Sequence, residues 1–395
     1  MRRMKLSENF VFLGMIFMVF VFGFYTFVKN QKSTSIAENR SLVQFSHFTL
    51  GGFISGDFQD KFESAFSDQF PFSEKIRMEF GQAIERLPKY GIDSLACANR
   101  YLVLKAGSGE TNRAIYDCND YIVIVPDRQV NKVALDNIQK YNTINRLNDV
   151  YYYYIKGGNS YDFVEDKVTV DYEKLLSENL KGNYHLASLD MDGWEKYKEY
   201  YYKTDHHWNY IGSYQGFLDI AKMFGIKNPS VPTGTFTSEE FFFGSASRMT
   251  LKYDIFEKFT IYTFDIPEHD TMINGVEKKY NHISEFINHD YKYNKNRNFY
   301  GEVYGADYGE IVFDFHQPEK PNLLIVSNSF SNAVNELIAQ YFNKTYVVDL
   351  RYYKEQRGSD FKYSEYIKNN HIDKTLIMAD LFFLVMTTLN QGLEL

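Results

Sequence analysis

With 395 residues, the chain can form one large α/β domain or two smaller ones. Its net charge of −8, with no basic patch standing out, argues against nucleic-acid binding, because nothing is arranged to neutralise phosphates. The aromatic content is high, 33 Tyr and 35 Phe. Most of it fits core packing and compositional bias, while exposed rings would suit sugar faces.

Residues 1–9 carry Arg2, Arg3 and Lys5 ahead of Phe10 to Val28, a run without charge. That run is roughly the length needed to cross a hydrocarbon core of about 30 Å. The positive-inside rule then puts residues 1–9 in the cytoplasm and the rest outside it. A cleaved signal peptide is the rival, since Ser35-Ile36-Ala37 resembles a small-residue cleavage site. The apolar run exceeds a usual signal core, so an uncleaved anchor over 10–28 is the better expectation. Either way the body of the protein is exported, and Cys97 and Cys118 could then form a disulfide or stay as two unpaired thiols.

Residues 29–52 are polar and irregular, which predicts a stalk. From 53 onward a catalytic domain is expected. Phe58, Phe62, Phe66 and Phe70 recur every four residues, the spacing of an amphipathic helix. Strand signals follow at Tyr101–Leu104, Tyr121–Val125 and Val150–Ile155. Helical patterns cover Val130–Leu147 and Asp171–Leu180, with Asp171 as cap. Residues 226–318 look like an irregular, β-containing insertion. Alternation returns with a strand from Leu323, a turn at Ser329, a helix through Tyr341, strand Tyr346–Leu350, helix Tyr363–Asn369 and strand Thr375–Ala379. This succession predicts an α/β fold with a mainly parallel sheet flanked by helices.

Two stretches carry chemistry. Asp205 and His207 are two residues apart, so a carboxylate can orient an imidazole on one turn and Asn209 can cap the helix that follows. Ser329 sits where an apolar strand gives way to a helix, the edge at which open α/β sheets place reactive groups. Its own N–H, with others at the helix start, could hold an oxyanion. Trp208 could wall the site or stack on a sugar, and Arg351 could pair with an acidic sugar or a phosphate. Each also has a structural reading: capping for Asp205 and Ser329, a buried histidine for His207, packing for Trp208 and a surface ion pair for Arg351. Asp205-His206-His207 looks superficially like the DHH phosphoesterase motif. Those enzymes need further Asp and His ligands in separate motifs, including an Asp-x-Asp cluster near the start, and none here is placed to serve; the other histidines show no ligand spacing. No metal and no cofactor are expected.

The tetrapeptide Asp205-His206-His207-Trp208 resembles the signature of the DHHW protein family, which is similar to the catalytic domains of the alginate O-acetyltransferases. Glu38-Asn39-Arg40 and Ser67-Asp68-Gln69-Phe70-Pro71-Phe72 look like that family's opening, Phe243-Gly244-Ser245 like a middle motif, and Asp349-Leu350-Arg351-Tyr352 like a late one. Residues 327–331 match its nucleophile block, usually Gly-Asp-Ser-Phe-Ser, with Ser327 and Asn328 in place of the Gly and Asp. The resemblance implies an SGNH-hydrolase-like (flavodoxin-like) fold with Asp and His ahead of Ser in the chain. It implies Ser329 as nucleophile, His207 as base and Asp205 as its orienter. The expected activity is acetyl transfer to a surface polysaccharide or wall glycan, with a multi-pass membrane acyltransferase as a source of acetyl. A carbohydrate O-acetylesterase and a non-catalytic glycan-binding or assembly protein are the alternatives.

Overall fold

In this computed structural model the described residues are 13–14, 16–17, 20–21, 23–26, 28–29, 31–35, 40–45, 47–71, 73, 75–76, 96, 101–105, 113–117, 119–125, 130, 132–158, 160–163, 167–168, 171–278, 298–305 and 307–393. They fall into two compact units, one of residues 1–94 with 247–254 and one of residues 95–246 with 255–395.

In the first unit, Thr49 caps α1 (Leu50–Ser55) by accepting the Gly52 N–H, and α2 (Asp57–Gln69) follows. The four-residue phenylalanine spacing gives a ladder along α2, with ring centroids 5.9, 6.4 and 5.8 Å apart from Phe58 to Phe70. At the end of α2, Gln69 bonds both backbone groups of Lys32 and the carbonyl of Val43. Asp68 accepts the Val43 N–H. This part of the predicted stalk is therefore stitched to the helix, through two residues of the expected opening motif. The anchor expected over 10–28 falls partly outside the described residues; among those described, no helix is long and apolar enough to cross a membrane. Cys97 and Cys118 both lie outside them, and with them the possible disulfide.

The second unit opens with an antiparallel meander of β1 (Tyr101–Lys105), β2 (Arg113–Asp117) and β3 (Ile122–Val125). There follow α3 (Lys132–Ile144), β4 (Asp149–Tyr154), α4 (Tyr172–Asn179, capped by Asp171), β5 (Tyr184–Ser188), α5 (Trp194–Tyr200) and α6 (Tyr210–Met223). Next come the antiparallel pair β6 (Gly234–Phe242) and β7 (Glu257–Thr263), then β8 (Asp270–Ile273), β9 (Val276–Glu277), α7 (Phe299–Tyr304) and β10 (Glu310–Asp314). The chain closes with β11 (Leu323–Ser327), α8 (Asn335–Ala339), β12 (Lys344–Val348), α9 (Tyr363–Asn369), β13 (Lys374–Ala379) and α10 (Leu381–Val385).

Eight strands make the main sheet in the order β9-β8-β10-β12-β11-β13-β4-β5. From β12 to β5 all neighbours are parallel, and β10, β8 and β9 extend the sheet antiparallel. The fold is thus mixed α/β with a large, mostly parallel sheet. The region read as an insertion is in part sheet: β8, β9 and β10 lie within 226–318. An antiparallel edge needs no helical crossover, so its short strands leave no βαβ pattern to read.

Alternating side chains of the central strands feed two cores. Tyr151, Tyr153, Leu323, Ile325 and Met378 pack with Phe217 and Ile220 of α6; Tyr152, Tyr154, Leu324, Val326 and Ile377 pack with α3, α9 and α10 on the opposite face. Most of the abundant tyrosine here is core, with the hydroxyls of Tyr152 and Tyr153 donating to Asn145 and Asp219.

Candidate active site

The five parallel strands share one carboxyl edge. Ser329 follows β11 there, between Asp349 after β12 and Asp380 after β13. The helix expected to run from Ser329 through Tyr341 is instead a 3-10 turn, Ser329–Ala333, followed by α8. Asn328 caps the turn: its amide oxygen accepts the Phe330 N–H at 3.2 Å, and its amide nitrogen donates to Asp380. An Asp at this position could do the first of these, so Asn328 keeps the cap and adds a tie to the next strand. The Ser327 hydroxyl is buried and hydrogen-bonded to that of Ser331.

Asp205 and His207 lie on the loop between α5 and α6. A bridge between Tyr201 and Trp208 closes it, Asn209 caps α6 by accepting the N–H groups of Ile211 and Gly212, and Ile122 of β3 donates its N–H to the Lys203 carbonyl. Glu257 of β7 clamps the start of the loop, accepting the N–H of Lys203 at 2.7 Å, the N–H of Thr204 at 3.0 Å and the Thr204 hydroxyl at 2.9 Å. Burial pushes the Glu257 carboxyl up to about 7, against the pull of those three donors.

The loop is brought to Ser329. Asp205 Oδ1 accepts the His207 backbone N–H at 2.9 Å and lies 2.6 Å from His207 Nδ1. His207 Nε2 lies 2.8 Å from Ser329 Oγ. The other carboxylate oxygen, Oδ2, accepts the Ser245 N–H at 2.6 Å. Burial of Asp205 opposes its ionisation, but the attraction and hydrogen bond of His207, with help from His206 and the Ser245 N–H, hold its carboxyl below the usual range. Asp205 and His207 are buried and Ser329 is half-buried, so the serine end of the chain of hydrogen bonds is the one that solvent reaches. The Ser329 N–H has no partner among the described residues, whereas the N–H groups of Phe330 and Ser331 are taken by Asn328.

The middle motif now has a physical reason. A Cβ on Gly244 would stand 2.4 Å from the Asp205 Cβ and 2.5 Å from the Thr204 carbonyl oxygen, so only glycine lets β6 end against this loop and present the Ser245 N–H.

Two expected substrate contacts are placed differently. Trp208 is fully buried, and its indole N–H donates to the Tyr300 hydroxyl at 3.3 Å. It packs beneath the site and offers no face to a sugar. Arg351 forks onto Asp349 at 2.5–3.1 Å and reaches Asp307 at 3.2 Å, which is the ion-pair reading of that residue. Asp205, His206 and His207 offer ligand atoms within 4.8 Å of one another. Those of Asp205 and His207 are already committed to Ser245, Ser329 and each other, and His206 Nδ1 lies 2.5 Å from the Ser245 hydroxyl. Sequence reasoning missed Glu257 and Tyr300, whose distance along the chain from Asp205 hides their proximity, and it singled out Ser245 only as part of the middle motif, without its contact to Asp205.

No family model and no curated protein matches the chain. Solved structures do. A DHHW family protein from Eubacterium siraeum superposes with a TM-score of 0.53 at 18% identity, covering 74% of this chain and 97% of that one. PatB1 from Bacillus cereus gives 0.54 at 19% identity over 73% of this chain and 99% of its own. PatB1 with a sulfonyl adduct gives 0.55 at 17% over 71% and 98%. The resemblance expected from the tetrapeptide and the nucleophile block is borne out in the fold: this chain is similar to a DHHW family protein and to PatB1.

Proposed function

We propose that the protein is a membrane-anchored, extracytoplasmic O-acetyltransferase of SGNH-hydrolase-like fold, acting on a surface polysaccharide or cell-wall glycan. The observation that carries this reading is the chain of contacts from Asp205 through His207 to the half-exposed Ser329 hydroxyl. The His207 Nε2 takes the proton of Ser329 as Oγ attacks the carbonyl carbon of an acetyl donor. The bond to the donor's leaving oxygen breaks, and that oxygen receives the proton from His207, leaving an acetyl ester on Ser329. A glycan hydroxyl then gives its proton to His207 and attacks the ester, and Ser329 recovers the proton as it leaves. Asp205 holds the ring with Nδ1–H inward and balances the imidazolium. The Ser329 N–H supplies an oxyanion donor.

The sulfonyl adduct on PatB1 supports the chemistry, because an activated nucleophile forms such a product with a sulfonyl electrophile. An anchor over 10–28 is supported by the exposed apolar side chains of Leu13, Phe17, Phe20, Phe24 and Val28. A multi-pass membrane acyltransferase is the proposed acetyl source.

Intact mass after incubation with a chromogenic acetyl ester tests the reading. A gain of one acetyl group is expected in the wild type and none in Ser329→Ala; no gain in either sinks it. Adding an oligosaccharide acceptor separates transfer, which yields acetylated glycan, from an O-acetylesterase, which yields acetate alone. Retention of glycan with neither product would mark a binding protein.

A further inference from the structure

The geometry points to Tyr300, on α7, as a positioning residue for this site. Its ring fixes the tilt of the His207 imidazole between Asp205 and Ser329 and shares the positive charge when that imidazole takes a proton. The inference rests on the proposed role of His207 as base. The two rings lie face to face, 3.9 Å apart between centroids and 8° from parallel. The Tyr300 hydroxyl accepts the Trp208 indole N–H and donates to the Phe330 carbonyl, each at 3.3 Å. Trp208 follows His207 and Phe330 follows Ser329, so one side chain braces both halves of the site.

Hydrogen bonds at its two nitrogens leave an imidazole free to tip about the line between them. A parallel ring against one face removes that freedom. The same face is electron-rich, so it attracts an imidazolium more than a neutral imidazole. Tyr300 is buried, and burial, with Tyr304, Asp205 and Asp307 nearby, holds its phenol well above the ordinary value, so it remains neutral. The other groups facing His207 are Asp205 at Nδ1, Ser329 at Nε2, the His206 ring at 3.9 Å and the Phe330 ring at 5.1 Å. Asp205 favours the charged imidazole, and a protonated His206 opposes it. Neither is altered when Tyr300 gives way to another neutral side chain.

Tyr300→Phe and Tyr300→Leu, made in the full chain, test the assignment. The readouts are an NMR titration of the His207 ring, assigned by its loss in His207→Ala, together with kcat and KM for an acetyl ester. Tyr300→Phe keeps the stack, so the His207 pKa should stay within about 0.2 units and kcat within about threefold. Tyr300→Leu keeps an apolar side chain beside the ring but offers no π face. It should lower the His207 pKa by about half to one unit and kcat by about tenfold, with KM within about twofold.

A folded Leu variant with an unchanged His207 pKa would overturn the inference, as would a Phe variant that falls as far as Leu. If Tyr300→Leu does not fold, Tyr300→Met fills the space without a ring and is read in the same way. The titration needs no turnover. A wild type that never acylates therefore sinks the proposed activity while leaving the role of Tyr300 to be decided on its own.

Discussion

Asp205 gathers three N–H donors on its two oxygens. Its depressed carboxyl means that the stabilisation it contributes is fully present above the ordinary value of 3.8 and is lost as the pH falls through and below it. Asp205→Asn should therefore lower the melting temperature at pH 7, and the gap to wild type should shrink by pH 3. The same substitution allows the wrong His207 tautomer, so kcat should drop by about 10³- to 10⁴-fold. Gly244→Ala should be the other severe single change. Its Cβ meets backbone and Cβ atoms that cannot swing aside, so a cost of about 1–3 kcal/mol is expected. Thermal melting and an acetyl-ester assay measure both effects.

At the scale of elements, the position of the 201–208 loop is decided by what grips it from a distance. The grip comes from β7 through Glu257, from the end of β6 through Gly244 and Ser245, and from α7 through Tyr300. Glu257 has a raised carboxyl, so its sign is opposite to that of Asp205. Its protonated form is favoured in the folded state, and stability is lost as the pH rises from 4.5 through about 7. Glu257→Gln should flatten the pH dependence of the melting temperature across that window; an unchanged slope would exclude Glu257 as its source. The helix α6 shows how a small residue serves an aromatic one. A Cβ on Gly216 would stand 2.5 Å from the Trp208 ring, so the glycine is the space into which the buried indole fits.

For the whole molecule, the parallel part of the sheet sets Ser329 at its carboxyl edge, between Asp349 and Asp380, and the α5–α6 loop carrying Asp205 and His207 is brought to it there. The antiparallel extension by β10, β8 and β9 widens the sheet beyond β12. If residues 10–28 anchor the chain, full-length protein should sediment with membranes and protease added outside the cell should reach its body. A chain of residues 29–395 should be recovered in the soluble fraction with unchanged ester hydrolysis. Sedimentation of the shortened chain with membranes would place the attachment elsewhere.

Local physics determined what the sequence could yield by itself. The apolar run Leu323–Val326, the caps Asp171 and Asn209, the phenylalanine ladder of α2 and the pairing of Asp205 with His207 each depend on neighbours a few residues away, and each is found as read. Boundaries drifted where no cap marks them, as in β12, which runs from Lys344 to Val348 against an expected Tyr346–Leu350. The tertiary structure alone decided the rest. Whether Trp208 met a substrate or the core, whether Arg351 reached Asp307 as well as its near neighbour Asp349, and which residues gripped the loop depended on partners that the fold brings in from elsewhere in the chain. Residue spacing specifies an element and its exposed or buried face, but it carries no record of which other element will cover that face.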